Sequence, residues 1–222
     1  MYGKCLIKEL KSELRGNFED VIVALMTEPV EFLAKELHKA ISGLGTEEST
    51  IVEILGIHNN DEIIKISNAY EGLYQTSLEA DIKGDTSGTL RKLLVAMSTG
   101  HRDESDLVDP EAAFKDAQSL LQAGELLFAG TEESVFNCIL CQRNKKQLRD
   151  KTDYLVTRLH DSMAGIGTDD RTLIRIVVSR SEIDLVEIKH AYEVKYGKSL
   201  ADAISDDLSD DYKKALLGIV NQ

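Results

Sequence analysis

The stretch Met163-Ala-Gly-Ile-Gly-Thr-Asp-Asp170 is a short glycine loop between two apolar runs that both keep helical spacing. Gly165 and Gly167 give the backbone the freedom that a tight turn needs, and Thr168 is expected to be the N-cap of the following helix. Asp169 and Asp170 then suit the positive end of that helix. The apolar runs are Tyr154, Leu155, Leu159 and Met163 before the loop, and Leu173, Ile174 and Val177 after it. The stretch therefore predicts two helices joined by a tight loop.

The same loop occurs earlier in the chain, as Ile41-Ser-Gly-Leu-Gly-Thr-Glu-Glu48, and a degraded copy occurs as Ala129-Gly-Thr-Glu-Glu133. An acidic turn follows each intact copy at one spacing. Asp85 lies 42 residues after the glycine at 43, and Asp207 lies 42 residues after the glycine at 165. A loop and an acidic turn that recur together indicate an internal repeat.

Composition favours an all-α chain that carries excess negative charge. The 222 residues include only two prolines and no tryptophan, and 42% of them are hydrophobic, which is enough for a core. The net charge of −13 and the lack of a basic cluster argue against nucleic-acid binding. The same charge repels an anionic membrane unless a cation neutralises the contact.

Several classes of protein are not expected. The three cysteines do not form a disulfide framework, and we expect Cys138 and Cys141 to be buried thiols. There is no signal-peptide pattern and no apolar run of roughly 18 residues, so a cytoplasmic protein without a membrane span is the simplest interpretation. No combination of residues resembles a catalytic site, so we do not expect an enzyme.

The order of helices supports the repeat. From Pro29 to Gly100 the apolar spacing predicts five helices, with the glycine loop after the first and the acidic turn before the last. The same order returns from 151 to 222, with the third helix predicted over 183–196. Between them the pattern predicts only two helices, one with Phe114 and Leu121 on its apolar face.

These motifs resemble the annexin family, whose members consist of four five-helix repeats in a curved disc. The residues that carry the resemblance are Ile41-x-Gly43-x-Gly45-Thr46 with Gly84-Asp-Thr-Ser-Gly88, Met163-x-Gly165-x-Gly167-Thr168 with Asp207, Asp184-Leu185, and Asp211-Tyr-Lys-Lys-Ala-Leu-Leu217. The resemblance implies an incomplete array. It assigns residues 1–27 to the tail of repeat one, 28–103 to a complete repeat two, 104–150 to the front of repeat three and 151–222 to a complete repeat four.

The resemblance also implies two calcium sites. In annexins the carbonyls of the first, third and fifth loop residues bind calcium, and an acidic side chain caps the ion. Calcium takes roughly 6–8 oxygen ligands, so the remainder of the shell is left for water or a lipid phosphoryl oxygen. The implied function is reversible, calcium-dependent attachment to anionic phospholipid at the membrane periphery. The implied ligands are Ile41, Gly43, Gly45 and Asp85 in the first site, and Met163, Gly165, Gly167 and Asp207 in the second.

Other interpretations remain open at this point. The loops could be no more than capped helix turns. Asp206-Asp-Leu-Ser-Asp210 lacks both glycines of the first acidic turn, which stiffens it and puts the position of Asp207 in question. Glu13 matches a cap position without a loop, and the variant loop Gly124–Gly130 has no acidic turn, so neither is expected to bind calcium.

A different class of function is a helical interaction scaffold whose calcium loops are vestigial. Helices missing from repeat three should uncover apolar surface on repeat two, and such a surface favours self-association.

Overall fold

The computed structural model describes residues 6–43, 45–105, 107, 109–125, 133–144, 151–165 and 167–221. Within these ranges every regular element is an α-helix, as the sequence predicts, and none of the helices is long and apolar enough to cross a bilayer. The helices are α1 (Leu6–Glu13), α2 (Gly16–Leu25), α3 (Pro29–Ser42), α4 (Glu48–Ile57), α5 (Asn60–Tyr74), α6 (Leu78–Asp85), α7 (Gly88–Ser98), α8 (Pro110–Glu125), α9 (Glu133–Gln142), α10 (Lys151–Met163), α11 (Asp170–Arg180), α12 (Leu185–Tyr196), α13 (Leu200–Asp207) and α14 (Asp210–Val220).

The chain divides into two compact units. One unit is residues 1–29 together with 151–222, in which α2 packs against α11 and α14. The other is residues 30–150, in which α7 packs against α4 and α9, and α8 packs against α9. The segment before α3 therefore packs with the end of the chain. The four-part division into repeats remains a prediction, because the two units do not delimit its boundaries.

The core of the second unit follows from the spacing of its apolar residues. Leu37 of α3, Ile54 of α4, Ile66 of α5, Ile82 of α6 and Leu94 of α7 are all at most 1% exposed. Each lies on the inward face of its helix, so five short helices share one core. Burial of each such side chain contributes about 1.5–3 kcal/mol, and this packing holds the loops at the helix ends in place.

The helices α3–α7 and α10–α14 correspond at an offset of 122 residues, except that α12 begins three residues later than this offset from the start of α5 would place it. A matching aromatic pair shows this register. His38 stacks on Tyr74 with ring centroids 3.6 Å apart, and His160 stacks on Tyr196 at 3.9 Å. The internal repetition inferred from the sequence is therefore present in the packing as well.

The structure corrects the predicted start of α12. The helix begins at Leu185, and residues 181–184 form a turn. The cause is Asp184, whose carboxylate accepts two hydrogen bonds of 2.7 Å from the guanidinium of Arg180, a side chain only 2% exposed. This ion pair holds Asp184 outside the helix.

Two further expectations are corrected between α7 and α10. Cys141 is buried as expected, but Cys138 is exposed. Phe114 and Leu121, predicted to form an inward face of α8, are 64% and 61% exposed. The reason is that α8 packs against α9 through its opposite side, where Ala123 is buried.

Candidate functional site

The first glycine loop is closed by its own backbone. The N–H of Glu47 donates to the carbonyl of Ala40 over 2.9 Å, which folds the chain back on the end of α3. Gly45 has φ +91°, a left-handed conformation that a residue with a side chain rarely adopts. A Cβ at Gly43 would lie 3.4 Å from the carbonyl oxygen of Gly45, so the loop also fits closely around that position. Leu44 lies outside the described residues.

A threonine joins this loop to the acidic turn. The hydroxyl of Thr46 donates to Oδ2 of Asp85 over 2.5 Å, and it also lies 3.2 Å from the main-chain oxygen of Asp85. The turn itself is anchored below by Thr86, whose hydroxyl donates to the Ile82 carbonyl, and whose own carbonyl accepts from the guanidinium of Arg91. The structure therefore places the exposed Asp85 carboxylate directly beside the glycine loop.

The second loop has the same geometry. The N–H of Asp169 donates to the Ser162 carbonyl over 2.8 Å, and Gly167 has φ +86°. Thr168 donates to Oδ2 of Asp207 over 2.5 Å. Ile166 lies outside the described residues.

The expected N-cap at Thr168 is wrong. The cap of α11 is Asp169, whose side chain accepts from the N–H of Thr172 over 3.1 Å. The Thr168 hydroxyl is engaged by Asp207, so it does not cap the helix. In both repeats this threonine links the loop to the acid 39 residues further along the chain.

The second acidic turn keeps its shape without glycine. Asp210 takes φ +57° where Gly88 takes φ +60°, so the left-handed position is retained. Asp206 lies within α13, just as Gly84 lies within α6, and a helical position does not need glycine. The side chain of Asp207 consequently meets its threonine over the same distance as Asp85 does, and its position is not disturbed by the missing glycines.

The surroundings of the second loop are more acidic than the sequence alone suggested. Burial raises the pKa of the Tyr212 hydroxyl, and the negative charges of Asp170, Asp207 and Asp20 raise it further. Beside them, a hydrogen bond from Lys198 lowers the pKa of Asp206. The sequence did not indicate that Tyr212 lies near Asp170 and Asp207. Its position depends on the packing of α14 and not on a motif.

The available oxygens fit calcium. Among the described residues there is no cluster of three histidine, cysteine or acidic side chains that could hold a metal ion. An ion at either loop would therefore depend on main-chain carbonyls together with one carboxylate, a set of hard oxygen donors that suits calcium. Glu13 is the last residue of α1, and the Gly124–Gly130 stretch lies largely outside the described residues.

Comparison with known proteins identifies these repeated loops. A family model described as annexin matches residues 32–97 and 154–219, which are the two segments that carry the loops and acidic turns. The chain belongs to the annexin family. Calcium-dependent binding to phospholipid is the general property of this family, and membership supports that function here.

The individual relatives agree with this assignment. Human annexin A13 is 42% identical over 258 residues, covering 99% of this chain and 81% of the relative. Human annexin A11 is 43% identical and covers 98% of this chain, which spans only 50% of that relative. The structure of annexin III superposes with a TM-score of 0.92 at 40% identity over 100% of this chain and 80% of that one. Calcium-bound annexin (Sm)1 superposes with a TM-score of 0.79 at 27% identity over 100% and 78%.

Proposed function

We propose that this annexin attaches reversibly to the surface of anionic phospholipid membranes through two calcium sites, one at each glycine loop. The observation that carries the proposal is the pair of 2.5 Å threonine–aspartate hydrogen bonds. They hold one carboxylate beside each loop, with the same geometry in two parts of the chain. Attachment of this kind is peripheral, and the simplest location for the unbound protein is the cytoplasm.

The first site would use the carbonyls of Ile41, Gly43 and Gly45 and the carboxylate of Asp85. Bound calcium would share its remaining coordination positions between water and a lipid phosphoryl oxygen. Thr46 orients the Asp85 carboxylate, and the left-handed Gly45 turns the loop back toward it. The calcium-bound structure of annexin (Sm)1, to which this chain is similar, supports calcium binding in general.

The second site would use the carbonyls of Met163, Gly165 and Gly167 and the carboxylate of Asp207. Its acidic surroundings strengthen the attraction for a cation and also strengthen the repulsion from anionic lipid when calcium is absent. The whole chain has a net charge of −13, so it is also repelled by anionic lipid when calcium is absent. Calcium therefore serves as the bridge between two negatively charged surfaces.

We propose further that the chain carries complete second and fourth annexin repeats and only the front of the third. The two family matches, at residues 32–97 and 154–219, lie within the segments that we assign to the second and fourth repeats, and they support that assignment. The alignment with human annexin A13 extends over 258 residues, although this chain has 222, so the relative holds residues within the matched span that are missing here. Between α7 and α10 the apolar spacing of the sequence predicts two helices, fewer than the five of a complete repeat.

Substitution of the two aspartates tests the sites. Asp85→Ala and Asp207→Ala should each raise the calcium concentration that gives half-maximal binding to phosphatidylserine vesicles, by about 10-fold or more at the affected site, and the double variant should not bind. Glu111→Ala on α8, where the side chain is 80% exposed and far along the chain from both loops, is the matched control. A double variant that binds like wild type would refute both site assignments.

The alternative function, a helical interaction scaffold, is favoured by one feature. Among the described residues between α7 and α10, three large apolar side chains are well exposed: Leu107 (79%), Phe114 (64%) and Leu121 (61%). They lie on or next to α8, and thus on the third repeat more than on the second. Self-association through this face predicts a dimer in light scattering that Phe114→Glu and Leu121→Glu together convert to a monomer. A wild-type monomer at all concentrations would exclude it.

A further inference from the structure

Two cysteines lie one helical turn apart at the C-terminal end of α9. Cys138 and Cys141 are three positions apart, and α9 ends at Gln142, directly after the second of them. Cys138 is exposed, whereas Cys141 is buried at 9% exposure. The pair belongs to neither proposed calcium site. Its placement brings an accessible thiol next to a protected one.

The spacing of the pair is close to that of a disulfide bond. Cβ atoms three residues apart on an α-helix lie about 5–6 Å apart, and a disulfide needs about 3.5–4.5 Å. The difference closes when a helix tightens toward 3₁₀ geometry, in which residues i and i+3 eclipse, and the ends of α-helices often adopt this geometry. Because the pair spans the final turn of α9, such tightening would leave the rest of the helix in place.

An arginine lies beside each thiol. Burial raises the pKa of the Cys141 thiol, and the guanidinium of Arg102 opposes this increase. The pKa of Arg143 is raised mainly by its hydrogen-bonded partner Asp116, and also by the nearby Cys138. Positive charge beside a thiol favours the thiolate, which is the form that attacks a disulfide. Arg102 therefore stabilises the negative charge that develops on Cys141 when its proton leaves.

Both thiols make only weak hydrogen bonds. Sγ of Cys138 donates to Oε1 of Gln142 over 3.3 Å, and Sγ of Cys141 donates to the main-chain oxygen of Leu93 on α7 over 3.7 Å. A thiol is a weak donor, so little is lost when these hydrogens leave. A disulfide sulfur has no hydrogen to donate. Oxidation of the pair would therefore release the contact between Cys141 and α7.

We propose that Cys138 and Cys141 are a dithiol site that reacts with the disulfide of a small thiol compound, such as glutathione disulfide, and closes a disulfide bond within α9. The inference goes beyond the proposed membrane function, since the reaction needs neither calcium nor lipid. The exposed Cys138 is the thiol that a disulfide in solution can reach. Cys141 lies one turn away, where it can displace the second half of that compound.

The exchange balances in two steps. In the first, the Cys138 thiolate attacks one sulfur of the small disulfide, the S–S bond of that compound breaks, and one small thiolate leaves and takes up a proton. In the second, the Cys141 thiolate attacks the Cys138 sulfur, the mixed S–S bond breaks, and the other small thiolate leaves and takes up a proton. The two cysteine sulfurs lose two electrons in total, and the two sulfurs of the small disulfide gain them.

Mass spectrometry after treatment with glutathione disulfide tests the pair. Cys5 lies outside the described residues, so Cys5→Ser is the parent chain for every measurement. The parent should lose the mass of two hydrogen atoms, and Cys138 and Cys141 should resist alkylation until dithiothreitol is added. Cys141→Ala keeps the exposed thiol without its partner. This variant should carry about 10-fold more glutathione adduct than the parent, because a thiol on the same turn competes at millimolar or higher effective concentration.

Cys138→Ser is the control for the buried thiol alone and should remain unmodified. It changes an exposed residue, so it tests the pair even if Cys141→Ala unfolds. A parent chain that keeps one glutathione on Cys138, or that forms a dimer linked through Cys138, would overturn the inference. A folded parent chain in which both cysteines stay reduced would overturn it as well.

Discussion

Each proposed calcium site contains a threonine hydroxyl, and the hydroxyl of Thr168 was predicted to cap a helix instead. A threonine before a helix has two acceptable partners, the N–H groups of that helix or a distant acceptor, and local sequence favours the first. In both loops the packing supplies the second, an aspartate 39 residues away. The acids were predictable because they recur at one spacing. The hydrogen bond that orients them was not, since it depends on where α6 and α13 end.

Removal of these hydroxyls should weaken calcium binding without unfolding the chain. Thr46→Val and Thr168→Val leave the carboxylates in place but free to turn away, and we expect about a 10-fold weaker calcium affinity at each site. Thr46→Ser and Thr168→Ser keep the hydroxyl and should bind nearly as well as wild type. Calorimetric titration with calcium measures both pairs, and equal affinities for the valine and serine variants would contradict this role.

Gly88 and Asp210, the first residues of α7 and α14, both have a left-handed backbone conformation, and exchanging their side chains should change stability in opposite directions. Asp210 adopts φ +57° at a cost of about 1 kcal/mol relative to glycine, so Asp210→Gly should stabilise the protein by about that amount. Gly88→Asp, the reverse exchange at φ +60°, should destabilise it similarly. Urea unfolding measures both changes in free energy. The same sign for the two exchanges would show that the backbone conformation does not decide these positions.

At the scale of the element, apolar spacing was sufficient to place most helices, because short helices around a shared core need an apolar face at every third or fourth residue. Apolar spacing predicted a wrong helix start where a polar contact fixes the backbone in another conformation. Ile183 continues the apolar pattern of α12, but the Arg180–Asp184 pair fixes a turn there. It also failed for Phe114 and Leu121, since periodicity shows that a helix has an apolar face but not whether a partner covers it.

The Arg180–Asp184 pair should contribute strongly to stability. Asp184→Ala would leave a guanidinium that is 2% exposed without its bidentate partner, and we expect a loss of about 3 kcal/mol in the free energy of unfolding. Asp211→Ala breaks the exposed pair with Lys214 and should change it by less than about 1 kcal/mol. Urea unfolding of the two variants, compared with wild type, checks this. Equal losses would mean that burial of the pair has no energetic consequence.

The whole molecule combines a net charge of −13 with two oxygen-rich loops. Without a cation, long-range repulsion should keep the chain away from an anionic surface. Physiological salt shortens the range of this repulsion to about 8 Å but does not turn it into attraction. We propose that calcium bound at the loops reverses the sign of the local charge. Membrane attachment should therefore be controlled by calcium more than by ionic strength.

Co-sedimentation with phosphatidylserine vesicles tests whether calcium controls attachment of this chain to membranes. The wild-type chain, shown to be folded by circular dichroism, is mixed with vesicles in chelator, in millimolar calcium, and in calcium followed by chelator. We expect protein in the pellet only in the second condition, with full release in the third. A folded protein that stays in the supernatant with calcium, or that pellets equally in chelator, would contradict it.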